Sequence, residues 1–144
     1  MGTWYEIARF DHRFERGLSE VTATYTLMPD GTVRVENRGC KHKKPYDVCK
    51  TAEGRAKIPD PSQPGKLKVS FFLSFYSDYY VLELDQDEYN YALIGSSSDK
   101  YLWILSRAPI LPEEIKKKLL DAATRRGYDV KKLIWVEQRE KKIM

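Results

Sequence analysis

Apolar and polar side chains alternate along most of this chain, in runs that turn-forming residues separate. Val33 and Val35, for example, alternate with Arg34 and Glu36. A period of two places successive side chains on opposite faces of a β-strand. Runs of this kind predict strands at residues 4–10, 20–28, 32–39, 47–58, 66–75, 79–85, 89–96 and 101–107.

The connections between these strands are short and rich in turn-forming residues. Pro29-Asp30-Gly31 follows the second strand, and Pro59-Asp60-Pro61 follows the fourth. Connections too short for a helical crossover predict that neighbouring strands pair antiparallel. Such a set of strands in one small domain indicates a closed barrel, since closure leaves no sheet edge exposed. A sandwich of two sheets is the alternative that the pattern leaves open.

One segment, from Pro112 to Arg126, has a helical period instead. Pro112 suits the first helical position, and Glu113 beside it suits the positive end of the helix dipole. Gly127 is expected to follow the C-terminal end of this helix. The apolar face of this helix consists of Ile115, Leu119, Leu120, Ala122 and Ala123. A short ninth strand is predicted from Leu133 to Glu137, and residues 1–144 are predicted to form a single domain.

The composition is that of a globular protein with a β-rich core. Hydrophobic residues make up 42% of the 144 residues and charged residues 32%, and the 10 tyrosines favour strands. The longest apolar runs are far shorter than the ~20 residues of a membrane-spanning helix. The formal net charge of +4 permits an anionic partner without requiring one, and the lysines are scattered. We therefore expect no nucleic-acid partner.

The residues that could carry chemistry do not converge in the sequence. His12 and His42 lie among charged residues in expected loops, outside any hydrolase, zinc-protease or phosphate-binding motif. We expect no catalytic site, no metal site and no cofactor. Cys40 and Cys49 flank the turn between the third and fourth strands, where they could form a disulfide, remain free thiols or join His42 in a zinc site. A disulfide would require an oxidising compartment.

Several segments resemble one protein family, the lipocalins. Gly2-Thr3-Trp4 resembles the Gly-x-Trp opening of that family, Leu84-Asp85 to Tyr89 is similar to its second motif, and Ser106-Arg107 to its third. The order of eight strands, one helix and a ninth strand is also similar. The likeness is greatest to the bacterial outer-membrane lipoprotein lipocalins related to apolipoprotein D. The segments that carry it are residues 2–17, 21–25, 68–72, 101–107 and 133–136.

The resemblance implies a fold, a function and a location. The fold is an all-β, eight-stranded antiparallel up-and-down barrel with one flanking helix near the C-terminus and a short ninth strand. Gly2, Trp4 and Arg107 are implied to close its floor, with the Trp4 ring against the Arg107 guanidinium. The implied function is to bind fatty acids or lysophospholipids for storage or transport, at the outer membrane or in the periplasm, with a homodimer as a further implication.

The same resemblance bears on membrane attachment. Relatives carry a lipoprotein signal and an acylated cysteine, neither of which this sequence shows. Peripheral membrane association would therefore depend on a lipid anchor in a longer precursor. The alternative function is a lipocalin-fold enzyme acting on a lipid-like substrate, for which a reactive Cys40 or Cys49 would be the candidate group.

Strand alternation and the resemblance together select the side chains that would line the cavity. Phe14 and Leu18 are expected at its mouth, and Glu6 is expected on the same face as Trp4 and Ala8, with no role assigned. An apolar cavity suits an acyl chain; the alternative is that these side chains simply fill the core. The predicted lining residues are Val21, Ala23, Tyr25, Val33, Val35, Ala52, Ala56, Val69, Phe71, Trp103 and Leu105.

Overall fold

A computed structural model describes residues 2–10, 18–41, 48–63, 65–72, 75–96, 101–136 and 138, with the backbone alone described for residues 70–72 and 75–78. Over these ranges the chain alternates between β-strands and short turns until a single α-helix follows the eighth strand. The strands are β1 (Gly2–Phe10), β2 (Ser19–Leu27), β3 (Val33–Lys41), β4 (Val48–Lys57), β5 (Lys66–Phe72), β6 (Phe75–Leu84), β7 (Tyr91–Gly95), β8 (Leu102–Ser106) and β9 (Leu133–Trp135). The helix α1 spans Glu113–Arg125, and a 3₁₀ turn, Val130–Lys132, leads into β9.

The strands form one closed antiparallel barrel. Each strand from β2 to β7 pairs with the next, β8 pairs with β1, and β1 pairs back onto β2. Because the first and last strands of the series meet, the sheet has no open edge at that point. The predicted barrel is confirmed, and the two-sheet sandwich is excluded.

Strand β1 changes partner halfway along one of its edges. Residues 2–5 pair with β2, whereas Ala8–Phe10 pair with β9. Where the two partners part, the side-chain amide of Gln138 donates to the carbonyl oxygens of Glu6, at 2.7 Å, and Val21, at 2.9 Å. The two carbonyl oxygens lie where β1 changes its partner from β2 to β9. The Gln138 side chain thus gives each of them a hydrogen-bond donor at this point.

Two predicted strand boundaries differ from the structure by more than two residues, and the others agree to within two. The fifth strand ends at Phe72 rather than at residue 75, and β6 begins at Phe75 rather than at 79. Polar Ser77 and Asp78 do not interrupt β6, because ladder pairing uses backbone groups and continues through both residues. The ninth strand is shorter than predicted, ending at Trp135.

The helix begins one residue later than predicted. Pro112 is its N-cap, not its first helical residue, and the Pro112 carbonyl accepts from the amides of Ile115 and Lys116. At the other end Gly127 has a φ of +89°, which favours glycine. The Gly127 and Tyr128 amides donate to Thr124 and Ala123, closing the helix in a Schellman arrangement.

The barrel wall separates two apolar regions. Outside, the buried helix residues Leu119, Ala122 and Ala123 pack against β1, β7 and β8. Inside, the buried side chains form two adjoining clusters, one around Trp4 and Leu105 and the other around Val33, Val35, Ala56 and Val69. The helix therefore stabilises the wall from outside and leaves the interior to the strands.

Candidate ligand-binding site

The interior of the barrel is lined mainly by the side chains that alternation selected. Tyr25 and Trp103 are half-buried inside the barrel, beside the two inner clusters. The buried members of the predicted lining are Val21, Ala23, Val33, Val35, Ala56, Val69 and Leu105. Their part in ligand binding remains a prediction.

Ala52 is the exception among the predicted lining residues that the structure describes. It shares the inward face of β4 with Gly54 and Ala56, but it is exposed. On its other side Ala52 pairs with Asn37 of β3, and the β4–β5 pairs among the described residues are at Arg55–Lys57. Its expected inward orientation agrees with this face, and its part in lining a ligand cavity stays a prediction.

Two further predicted positions have no described side chain. Phe14 lies outside the described residues, and Phe71 belongs to β5 with only its backbone described. Leu18, the other predicted mouth residue, is half-buried just before β2. Its side chain lies close above Gly39, where an added Cβ would meet the Leu18 Cδ1 atom at 3.0 Å.

Aromatic rings from three parts of the wall make a continuous series across the interior. Tyr25 on β2 meets Tyr79 on β6 edge to face, with ring centroids 6.5 Å apart. Tyr79 stacks on Trp103 of β8 at 6.4 Å, and Trp103 stacks on Tyr101 at 5.8 Å. All four residues are half-buried. Such rings offer large flat apolar faces to a ligand within the barrel.

The Tyr25 and Tyr79 hydroxyls place a polar group in this apolar interior. Their oxygens lie 2.8 Å apart in a hydrogen bond. Burial of the Tyr79 hydroxyl, aided by Tyr25 and by the charge of Glu6, raises the pKa of Tyr79 well above its ordinary value. The hydroxyl is thus surrounded by protein, although Tyr79 as a whole residue is half-buried.

A buried ion pair inside the barrel is the feature that the sequence analysis missed. The Arg9 Nη1 atom lies 3.2 Å from a Glu6 carboxylate oxygen, and the two side chains are only 2% and 7% exposed. Arg9 also donates through Nη2 to the backbone carbonyl of Leu18, at 3.2 Å. The guanidinium therefore links β1 to the start of β2 from the inside.

An irregularity in β1 makes this ion pair feasible. Residues three apart on a regular strand point to opposite faces. The register with β8 shifts between Glu6 and Ala8, so Glu6 pairs with inward Leu105 and Arg9 with inward Trp103. The same shift turns Ala8 outward, under the helix, so the prediction that Ala8 shares the face of Trp4 and Glu6 is wrong.

The floor of the barrel contains the three residues that the family motifs indicated. The Arg107 guanidinium carbon lies 4.1 Å from the centre of the Trp4 ring, and Nη1 donates to the Thr3 carbonyl at 3.0 Å. Partial burial lowers the pKa of Arg107. Gly2 has a φ of +85°, which favours glycine, and a Cβ there would stand 2.7 Å from Arg107 Nη1 and displace the guanidinium.

A disulfide joins β3 to β4. Cys40 and Cys49 are directly opposite in the strand ladder and bonded through sulfur, with Cα atoms 4.0 Å apart. Neither cysteine is therefore a free thiol or a metal ligand. Of the three arrangements that the spacing left open, the structure has the disulfide.

The described part of the chain holds no group of three or more His, Cys, Asp or Glu side chains suited to a metal ion. No helix within it has the length and apolarity needed to cross a membrane. What the described residues do bring together is an apolar, aromatic interior with two polar elements, the Tyr25–Tyr79 pair and the Glu6–Arg9 pair. A closed eight-stranded barrel of this kind defines the class of small barrels able to enclose one small ligand.

Comparison with known proteins gives the family. The model of the lipocalin-like domain matches residues 1–138, and the chain belongs to the lipocalin family. The outer membrane lipoprotein Blc of Escherichia coli K12 is 50% identical over 138 residues, which cover 96% of this chain and 76% of the relative. Mouse apolipoprotein D is 35% identical over 146 residues, covering 96% and 74%.

A solved structure supports the fold. Insecticyanin from the tobacco hornworm Manduca sexta superposes with a TM-score of 0.74 over 96% of this chain and 78% of that one, at 22% identity. At that identity the likeness concerns the barrel and says nothing of the ligand. The names of the bacterial relatives agree with the predicted location at the outer membrane or in the periplasm.

Proposed function

We propose that this protein holds fatty acids or lysophospholipids non-covalently inside its barrel, for storage or transport in the bacterial cell envelope. The observation that carries the proposal is the half-buried aromatic series inside a closed barrel, Tyr25, Tyr79 and Trp103. Side chains that only filled a core would be expected to bury these faces against one another. Half-buried aromatic residues instead suit contact with an acyl chain, each buried methylene of which contributes about 0.8 kcal/mol.

Two further observations support the proposed location of the protein and a carrier function rather than an enzymatic one. The Cys40–Cys49 disulfide suits the oxidising periplasm. It also removes the free thiols that the alternative, a lipocalin-fold enzyme, would have used. The relatives are named as lipoproteins and lipocalins, without a reaction.

The test is a titration of delipidated protein with a fluorescent fatty acid, followed by displacement with a lysophospholipid. We expect saturable micromolar binding that Trp103→Asp weakens at least tenfold, because a carboxylate would face the acyl chain. The matched control is Trp135→Asp, since Trp135 is 47% exposed on the outer surface, beside α1. That variant should bind like the unsubstituted protein.

Circular dichroism of each variant checks that the barrel is folded. Should Trp103→Asp fail to fold, Trp103→Ala takes its place, because it removes the ring contact without burying a charge. Absence of binding by the folded, delipidated protein would disprove the lipid-carrier proposal and leave the family assignment intact. Equal loss of affinity in the Trp103 and Trp135 variants would place the ligand outside the barrel.

The resemblance also carries two expectations about assembly, a homodimer and a lipid anchor in a longer precursor. Light scattering of the purified chain measures the first. Mass spectrometry of the protein isolated from its native membrane measures the second.

A further inference from the structure

Two lysines lie on the inward face of the β3–β4 hairpin at the mouth of the barrel, the end opposite the floor. Because β1 begins at the floor and neighbouring strands are antiparallel, β3 ends at the mouth and β4 begins there. The register between β3 and β4 is regular along the whole hairpin. Alternation therefore places Lys41 on the face of Val35, and Lys50 on the face of Ala56, both of which are buried inside the barrel.

The position of Lys50 is fixed by contacts of the wall beside it. Lys50 lies directly opposite Gly39, so no side chain stands across the ladder from it. On the inner side of Gly39 an added Cβ would stand 3.0 Å from Cδ1 of Leu18, the predicted mouth residue. The pair Ser19 and Cys40 still holds β3 to β2 at this level. Lys50 is therefore on the part of the hairpin that belongs to the barrel wall.

Within the described residues, neither ammonium group has an acidic partner. Lys41 and Lys50 form no hydrogen bond or ion pair there. The acidic side chains of the hairpin, Glu36 and Glu53, are on its outer face, where both contact Arg34. The two strands thus bring two positive charges and no negative charge to the inner face at the mouth.

The disulfide holds these two like charges near each other. Cys40 and Cys49 pair directly across the ladder and immediately precede Lys41 and Lys50, so the bond fixes the register that puts both lysines on one face. Diagonal neighbours on one face of an antiparallel pair are roughly 7–8 Å apart, and like charges at that separation repel each other. An anionic group between the lysines offsets this repulsion and accepts charge-assisted hydrogen bonds from both.

Building on the function proposed above, we propose that Lys41 and Lys50 bind the negatively charged head of an acyl lipid whose chain lies inside the barrel. The chemistry that they recognise is a carboxylate or phosphate with net negative charge. The apolar interior contributes affinity for the chain, whatever the head. The protein therefore binds lipids with a net negative head more tightly than zwitterionic or uncharged lipids with the same chain.

The test compares four ligands with one palmitoyl chain. Palmitic acid and palmitoyl-lysophosphatidylglycerol have a negative head, whereas palmitoyl-lysophosphatidylcholine and monopalmitoylglycerol have no net charge. Intrinsic tryptophan fluorescence follows their binding to the delipidated protein at low ionic strength, below the concentrations at which micelles form. Exposed ion pairs are individually weak, so we expect at least one of the negative lipids to bind about three- to thirtyfold more tightly than the uncharged ones. This preference should shrink in ~0.5 M salt. The two negative lipids together show whether a carboxylate, a phosphate or either is recognised.

The double variant Lys41→Gln, Lys50→Gln should abolish the preference and leave the affinity for monopalmitoylglycerol unchanged. The matched control is Lys57→Gln, Lys68→Gln. These two lysines are paired across β4 and β5 on the outer face, so the control removes the same charge from outside the barrel. It should keep the full preference. Circular dichroism verifies that both double variants are folded.

The two proposals fail in different ways. If the uncharged lipids bind and neither negative lipid binds more tightly, the selection for a negative head is disproved while the carrier function stands. A preference that persists without Lys41 and Lys50, or that is lost equally in the control, would show that these lysines are ordinary solvated charges. If none of the four lipids binds to the folded protein, the carrier function itself is disproved, and the selectivity with it.

Discussion

Glu6 and Arg9 form an ion pair in a place where charges are costly. Both side chains are almost completely removed from solvent, and Arg9 additionally holds the Leu18 carbonyl. A buried pair of this kind stabilises a fold little compared with an apolar pair, but breaking it leaves one buried charge without its partner. The pair thus makes the geometry of β1 hard to change.

Replacing only one residue of the Glu6–Arg9 pair should lower the free energy of unfolding more than replacing both. We expect Arg9→Met to lower the free energy of unfolding by about 3–5 kcal/mol, because the Glu6 carboxylate stays buried. Glu6→Leu combined with Arg9→Met should cost less than Arg9→Met alone. Urea unfolding followed by fluorescence measures all three proteins; a double variant less stable than Arg9→Met would contradict this account.

Tyr79 should make the protein sensitive to alkaline pH. Its pKa is raised in the folded state by burial, by Tyr25 and by Glu6, so the unfolded chain releases this proton first as the pH rises above about 10. The unfolded state then binds fewer protons than the folded state, and stability falls with increasing pH. Below that range Tyr79 contributes no pH dependence.

The measurement is the midpoint of urea unfolding at a series of alkaline pH values. Tyr79→Phe should show a shallower decline above pH ~10 than the unsubstituted protein. Identical slopes for the two proteins would show that Tyr79 titrates normally.

At the scale of single residues, the sequence predicted the floor of the barrel better than its interior. Trp4 and Arg107 belong to motifs whose spacing along the chain is distinctive, and the structure brings them into contact. Glu6 and Arg9 are three apart in a strand, a spacing that alternation assigns to opposite faces. Only the register shift against β8, a property of pairing between distant segments, turns them to the same side.

Among the elements, the β3–β4 hairpin is held at one end by the Cys40–Cys49 disulfide. The bond closes a short loop, with a sequence separation of 9. In the chain-entropy account, a loop of about ten residues corresponds to roughly 2–3 kcal/mol through restriction of the unfolded chain.

Removing this disulfide should therefore destabilise the protein moderately without unfolding it. We expect the double variant Cys40→Ala, Cys49→Ala to lose about 2–3 kcal/mol in urea unfolding. Reductant should lower the stability of the unsubstituted protein by a similar amount and leave the double variant unaffected. A response of the double variant to reductant would show that the effect is not due to this bond.

Strand boundaries were predicted best where the alternation of side chains ends at the same residues as the backbone pairing. The strands β2 and β3 have the boundaries that alternation predicted to within two residues. The prediction was wrong at the start of β6, which was expected at residue 79 but begins at Phe75 and includes polar Ser77 and Asp78. The backbone continues its pairing with β5 there, and a ladder of backbone hydrogen bonds tolerates polar side chains.

In the whole molecule, the residues that pack under the helix and the proposed ligand contacts lie on opposite faces of the barrel wall. Leu119 of α1 is 1% exposed and lies in the outer cluster. The proposed ligand contacts, such as Trp103, belong to the inner one. A substitution in the outer cluster should therefore change folding without changing the ligand site.

Leu119→Ala tests this separation. We expect it to lower the free energy of unfolding by about 2–5 kcal/mol, through lost apolar burial and the cavity that remains. The affinity of the folded variant for the fluorescent fatty acid should stay within twofold of the unsubstituted protein. A large loss of affinity at a temperature where the variant is folded would show that the helix supports the binding site directly.

The sequence by itself determined the number and order of the strands, the helix with its apolar face, and the inward side of most strands. These features depend on periods of two and 3.6 residues and on turn residues, which are local properties of the chain. The tertiary structure decided how β1 divides one edge between β2 and β9, and which polar groups enter the interior. Those features arise from register between segments far apart in sequence, where a shift of one residue reverses the face of every side chain that follows.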